Sequence, residues 1–436
     1  MIRHARFLRL AAAAAALGVL ALPALARADA VTDWNGYATT AIVTNARQLP
    51  QVSPLSYAIV QGAVYDAVNA IDRGHRPYLS APAAHPRDSK DAAAATAAFR
   101  VLVALFPTQL STLQPLYEAS LAAVPDGPAK AGGIAAGEQA AATMLAARAN
   151  DGRGGTFSVV VGSQPGDWRP TPPAFLLDPA PWIGNVLPFL VPSVDMLRSD
   201  GPNPLTSAAY AQDFSEVQEV GSLTSTTRTA DQTDAARFWQ TNGPGLWNGV
   251  MNTLAVSRRL DSADSARLFA MANLAMADGV IGCWNDKYHW SFWRPVTAIR
   301  EATTDGNPAT QADPTWTPLF ATPPFPDHPS AHACLSSALV HTLQNFFGTD
   351  KIAFSAFSTN SQTTRSFDRL SDAIKEINDA RVWAGIHFRT ADMQGAVLGK
   401  KVAHWLEKHY FQPTESSCRR HDDRVAARTQ GRGPVR

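Results

Sequence analysis

Three stretches of the 436-residue chain carry residue types suited to holding an oxyanion and doing chemistry on it. The first runs Asp286-Lys287-Tyr288-His289-Trp290-Ser291-Phe292-Trp293-Arg294-Pro295. Lys287 and Arg294 lie seven apart, and at about 100° per residue seven helical steps return to within about 20° of the same direction. The spacing therefore predicts both cations on one helical face, with Trp290 between them as apolar backing. Like charges in an aromatic stretch need an anion nearby; the alternative is that they reach water or pair with carboxylates. The second stretch is Pro324-Phe325-Pro326-Asp327-His328-Pro329-Ser330-Ala331-His332. Proline disfavours helix before Pro329 and tolerates it just after, so Ser330, Ala331 and His332 occupy a helix start. Free amides and the helix dipole favour negative charge there, unless Ser330 merely caps the backbone. The third stretch is Arg381-Val382-Trp383-Ala384-Gly385-Ile386-His387-Phe388-Arg389-Thr390-Ala391-Asp392. Arg381 and His387 are six apart, about 240° on a straight helix. Both reach one ligand only if the helix breaks between them. Gly385 offers that break, and Thr390 or Asp392 a cap for a new helix.

Together these residues supply three cations, a helix N-terminus with a serine, and two histidines. A tetrahedral or trigonal-bipyramidal oxyanion needs several donors around its equatorial oxygens and one axial nucleophile. Arginine gives paired donors and lysine a point charge.

The set resembles the vanadium-dependent haloperoxidases and their relatives, the type-2 phosphatidic acid phosphatases and class A acid phosphatases. Their signature is Lys-x6-Arg-Pro, then Pro-Ser-Gly-His, then Ser-Arg-x5-His-x3-Asp. Here it stands as Lys287 to Arg294-Pro295, Pro329-Ser330-Ala331-His332, and Ala380-Arg381 to His387. The motifs and their intervals span about a quarter of the chain. Looser likeness to secreted bacterial haloperoxidase relatives extends to Tyr65-Asp66-Ala67-Val68-Asn69-Ala70-Ile71 and to Gly166-Asp167-Trp168-Arg169-Pro170-Thr171-Pro172-Pro173.

The resemblance implies that Lys287, Arg294 and Arg381 hold equatorial oxygens, with Ser330 and the Ala331 amide donating to them. It implies His332 as the acid–base group and His387 as the axial ligand to vanadium, or as the phosphate-accepting nucleophile of a phosphatase. Vanadate is then the cofactor and hydrogen peroxide and halide the substrates; in the phosphatase alternative the substrate is a phosphomonoester. Phe325 resembles a residue near the halide site of chloride-oxidising members. Three departures stand out. Ala331 replaces glycine, so a positive φ there would be strained. Ala380 replaces serine. Asp392 follows His387 by five residues rather than four, which argues against its orienting that imidazole. A non-enzymatic oxyanion-binding protein leaves His332 without a reason. A zinc site on His328 and His332 lacks the intervening glutamate of a metalloprotease helix.

The elements that must position these residues are overwhelmingly helical. Apolar residues recur at helical spacing over Pro54–Ile71, and Asp88–Ala149 divides at Phe106-Pro107 and Pro125–Pro128 into three short-linked helices. Pro115 suits the middle one only in its first turn. Helical periodicity resumes at Ser207–Val220, Ala230–Gln240, Leu246–Leu260 and Ser262 to about Trp290, then at Ser330–Phe347, Ser371–Ile386 and Thr390–His409. The fold class expected is all-α, two helical bundles with a long Pro/Gly-rich connection at 151–205. That connection is read as packing partly over the site or as a surface excursion, with a strand at Ser158–Val161. The expected divisions are an N-terminal half at 29–150, the connection at 151–205, a C-terminal half at 206–412 carrying the site, and a disordered tail at 413–436.

Residues 1–28 read as a signal peptide: Arg3, Arg6 and Arg9, an apolar run from Ala11 to Leu25, then Ala26-Arg27-Ala28. The expected location is periplasmic or secreted. No later segment reads as long and apolar enough to cross a bilayer. Without residues 1–28, which hold four arginines and no acid, the formal net charge is −3. Nothing here suggests a nucleic-acid surface. Cys283, Cys334 and Cys418 are an odd set; Cys283 and Cys334 flank the candidate site, as a disulfide or as buried free thiols.

Overall fold

A computed structural model describes residues 29–415. The expected signal peptide, Cys418 and the tail beyond residue 415 lie outside the described residues. The described part is all-α apart from one β-hairpin.

The first half is built from α1 (Ala30–Thr39), which runs on into a π-helical turn at Thr40–Asn45, then α2 (Ser53–Asp72), α3 (Lys90–Leu105), α4 (Leu110–Ala122) and α5 (Pro128–Ala147). Local chemistry starts these helices where the sequence suggests. Pro54 sits in the first turn of α2, Ser89 accepts from the Ala92 amide at the head of α3, and Pro128 opens α5. Pro115 is not in a first turn; it lies inside α4. Only Leu113 of that helix is buried, so water can satisfy the carbonyl that the missing N–H leaves unpaired.

The second half holds α6 (Ala208–Val220), α7 (Ala230–Phe238), α8 (Gly243–Ser257), α9 (Ser262–Trp290), α10 (Pro295–Arg300), α11 (Ala331–Phe347), α12 (Leu370–Trp383) and α13 (Arg389–His409). An antiparallel hairpin, β1 (Phe354–Ser358) and β2 (Thr363–Phe367), precedes α12. Its buried face alternates with exposed residues in β1, a short period-two signal that the surrounding helical pattern hides.

One hydrophobic core runs through both halves, from Val31 to Phe411. At its centre is α9, packed against α2, α11 and α13. This helix is long and apolar enough to cross a membrane by length and composition, contrary to the expectation that no such segment follows residue 28. It is a core helix: 94% of its most apolar window is buried inside the protein.

The connection at 151–205 lies along α9 and is bound to it by carboxylates. Asp278 of α9 accepts from the consecutive amides of Phe189, Leu190 and Val191. Asp178 accepts from Trp284 Nε1 and the Tyr288 hydroxyl, and Asp286 accepts from the Ser199 amide and Arg198. Three acids on or against one helix thus hold an irregular segment that has few helical bonds of its own. Ser158–Val161 forms no strand; only Asp167 makes a bridge, with Phe292. The upstream Tyr65–Ile71 motif is explained the same way: Asp66 accepts from the amides of Tyr78, Leu79 and Ser80.

Candidate active site

The site is assembled from four chain segments. The first is the end of α9. This helix stops at Trp290 because Ser291 adopts a left-handed conformation, φ 44°. Arg294 therefore does not continue the helical face of Lys287, as the spacing predicts, but stands at the N-cap of α10. A turn brings the two cations together. It is held by pairing with the Gly166–Trp168 segment: the Trp293 amide donates to the Gly166 carbonyl and the Trp168 amide to that of Ser291. The aromatic backing is also different. Phe325 lies 5.2 Å from Lys287 Nζ and 5.1 Å from the Arg294 guanidinium, with Trp284 at 5.9 Å from Lys287. Trp290 instead packs on His289 and His328.

The second segment is the loop Phe325–Ser330 and the start of α11. Lys287 Nζ donates to the carbonyls of Pro326, Asp327 and Pro329 at 2.7, 3.0 and 2.6 Å. All three lysine protons are thus spent on the loop. Ser330 is the N-cap of α11 and Ala331 its first residue, so Ala331 avoids the positive φ that would strain it. The Ser330 amide is tied to the Ala391 carbonyl of α13.

The third segment is the corner between α12 and α13. Helix α12 ends at Trp383 and Gly385 takes φ 77°. A Cβ at Gly385 would also collide with the Gly221 carbonyl and with Pro318. The break that the Arg381–His387 spacing requires is therefore present, and both side chains line one cavity. Neither Thr390 nor Asp392 caps α13: Phe388 is its N-cap, and the Asp213 carboxylate of α6 accepts from the Thr390 amide instead. Arg389 fastens the corner through Glu216 and Asp379.

The fourth segment comes from the first half, the α7–α8 link and the first turn of α8. Leu49, Pro50, Gln51, Thr241 and Pro244 close a cavity of about 300 Å³ whose inner wall is Phe325, Ala331, His332, Arg381 and His387. Lys287, Arg294 and Ser330 lie behind that wall with no exposed surface.

Several of these groups are buried without partners. Arg294 donates through Nε to the Phe325 carbonyl and through Nη1 to that of Ile386, but Nη2 has no acceptor. Arg381 makes one long contact to the Trp239 carbonyl, 3.5 Å, and its Nε has none. Ser330 Oγ, fully buried, neither caps the helix nor finds another partner. An unpaired buried donor costs on the order of 1–3 kcal/mol. Three of them beside a helix N-terminus fit the oxygens of a bound oxyanion. That chemistry also excludes the reading of Ser330 as an ordinary cap.

Electrostatics agree. Burial lowers Lys287 to about 8 and Arg294 and Arg381 to about 10. His332 and His387 are held well below the usual imidazole range, by burial first and then by the neighbouring cations. An anion bound here would oppose each of these shifts. Asp327, which the sequence reasoning missed, has its carboxylate 2.8 Å from His387 Nδ1 and 3.8 Å from Arg294 Nη1. Burial pushes it up to about 7, against the pull of Arg294 and Lys287. Its only signal in the sequence is an acid set between Pro326 and His328, next to the Pro329-Ser330 turn. Asp392 lies against Ser330 and Arg381, close enough to feel both, and its carboxylate makes no well-formed hydrogen bond. Cys283 and Cys334 are free, buried thiols.

Comparison with known proteins supports the same reading. A family model described as the VCPO second helical-bundle domain matches residues 267–415, which contain the whole motif set. The vanadium chloroperoxidase of Curvularia inaequalis is 26% identical over 201 residues, 38% of this chain. The chain spans about a third of that relative's length, 32%. Among solved structures, a bacterial vanadium-dependent iodoperoxidase superposes with a TM-score of 0.76 at 24% identity, covering 88% of this chain and 98% of that one. A bacterial vanadium-dependent chloroperoxidase in its apo form gives 0.64 at 15% identity, covering 82% and 93%. At these identities the superpositions speak for the fold. Residues 267–415 thus match the second helical-bundle domain of the vanadium haloperoxidases, and the chain as a whole has the fold of those enzymes.

Proposed function

We propose that the protein is an exported haloperoxidase that uses vanadate to oxidise halide with hydrogen peroxide. The observation that carries this reading is the set of buried, unpartnered donors, Arg294 Nη2, Arg381 Nε and Ser330 Oγ, gathered behind a cavity walled by His332 and His387. Lys287, Arg294 and Arg381 would balance the oxyanion's charge, Ser330 and the Ala331 amide would donate to it, and His387 would bind the vanadium. Vanadate so held supplies a Lewis-acidic centre that activates peroxide toward halide.

The rest is work for the chain's own groups. His332 keeps part of its surface on the cavity and is neutral there, so one ring nitrogen is free to take a proton and return it. Phe325, Trp284 and Leu335 give the cavity an apolar side that strengthens each charge interaction within it. Similarity to vanadium-dependent chloro- and iodoperoxidases favours halide oxidation over phosphomonoester hydrolysis. Residues 1–28, read as a signal peptide, would deliver the enzyme to the periplasm or medium.

The test is reconstitution of the apo-protein with vanadate, followed by assays of peroxide-dependent bromide oxidation and of phosphomonoester hydrolysis. Bromination that requires vanadate and is lost in His387→Ala is expected. Strong hydrolysis without bromination would overturn the reading, and full activity in His387→Ala would remove the site itself.

A further inference from the structure

His387 can bind an oxyanion's central atom only through a ring nitrogen that carries a lone pair, so something must fix which nitrogen holds the proton. Asp392 does not. It stands five residues along, on α13, and its carboxylate is turned to Ser330 and Arg381. Asp327 faces the ring instead, with Oδ1 2.8 Å from Nδ1 and both side chains almost fully buried, a close ionic contact rather than an aligned hydrogen bond, since neither carboxylate oxygen has a hydrogen-bond partner.

The Arg294 guanidinium stands against the same ring, with Nη1 3.2 Å from His387 Nε2 and 3.5 Å from Nδ1. An approach so nearly equal selects neither nitrogen. The contact that singles one out is that of Asp327 with Nδ1.

The backbone around Asp327 is set by the cation-bearing segments. Its amide donates to the Phe292 carbonyl, 3.0 Å, in the turn before Arg294, and its own carbonyl accepts from Lys287 Nζ, 3.0 Å. The carboxylate is therefore placed by the same elements that place the anion-binding donors.

We propose that Asp327 is the positioning residue of His387: its buried carboxylate keeps the imidazole in place and favours the proton on Nδ1, leaving Nε2, on the Arg294 side, as the nitrogen with the lone pair. The proposal rests on the oxyanion reading for its purpose, but its geometry is tested separately. In apo-protein labelled with 15N-histidine, wild-type His387 should show a protonated Nδ1 and a bare Nε2. Asp327→Ala should lose that pattern and weaken vanadate binding, measured by equilibrium dialysis, by about 10–100-fold. Asp327→Asn, of the same shape and with an amide oxygen that still accepts, should keep the pattern and lose less affinity; a thermal unfolding scan confirms that it folds. Asp392→Asn should leave the His387 nitrogens unchanged. An unaltered nitrogen pattern and unaltered vanadate affinity in Asp327→Ala overturns the proposal, as does a tautomer change caused by Asp392→Asn and not by Asp327→Ala. If wild type binds no vanadate while Asp327→Ala still shifts the tautomer, the positioning role stands and the haloperoxidase reading falls.

Discussion

Ser330 separates binding from stability at the scale of one residue. Its hydroxyl is fully buried and unpartnered, although it sits where a serine ordinarily caps a helix. Without an anion it is a cost, and under the proposed function it would donate to a charged acceptor, worth about 1.5–3 kcal/mol. Ser330→Ala should therefore weaken vanadate binding by roughly tenfold or more while leaving the apo-protein's unfolding temperature unchanged or raised. Calorimetry and equilibrium dialysis on the same preparation read both effects. A lowered unfolding temperature with unchanged affinity would return Ser330 to a structural role.

Two elements convert sequence spacing into a site. The α12–α13 corner exists because Gly385 accepts a left-handed backbone in contact with Gly221 and Pro318. Gly385→Ala adds a conformational cost of about 1–2 kcal/mol and a clash that moves Arg381 relative to His387. Vanadate affinity should fall with stability, and a Gly385→Ala protein that binds as wild type would show that the corner tolerates displacement. The other element is the 151–205 connection, fastened along α9 by Asp278. Asp278→Ala strands the Phe189, Leu190 and Val191 amides, at about 1–3 kcal/mol for a buried donor. Limited proteolysis should then cut near residues 186–192, a segment protected in the wild type.

Across the whole molecule, one core spans both halves, and the candidate cavity takes its walls from residues as distant as Leu49 and His387. That burial leaves a pH signature. His328 is buried against Ser199 Oγ, 3.0 Å from Nε2, and its pKa drops to about 3, through burial and then Lys287. A histidine depressed in the folded state contributes stability that is fully present above its unfolded value near 6.5 and is lost as pH falls toward about 3. Relative to His328→Gln, the wild type should lose about 2–3 kcal/mol between pH 7 and pH 4.5, at 1.36 kcal/mol per unit. Buried Asp66 and Asp278, both raised to about 6 by burial, act with the opposite sign, their contribution being lost as pH rises through that value. The comparison with His328→Gln isolates the histidine. Urea denaturation at the two pH values checks it, and a pH-independent difference would count against a neutral buried imidazole.

By itself the sequence determined the helical class, most helix limits to within a few residues, the three motif stretches, and the need for a break near Gly385. Those rest on local properties: periodicity, proline and glycine stereochemistry, and angular arithmetic along one helix. The same arithmetic misplaced Arg294, because the left-handed Ser291 ends α9 and no periodicity encodes that stop. The hairpin at 354–367 escaped notice because its alternation is shorter than the helical patterns on either side. Only the tertiary structure decided that Asp327 rather than Asp392 faces His387, that Phe325 rather than Trp290 backs the cations, and that the 151–205 segment lies along α9. Each of these depends on which side chains meet across long stretches of chain. Burial then decides which of their donors are left without a partner, and those unpaired groups distinguish an oxyanion site from an ordinary helix cap.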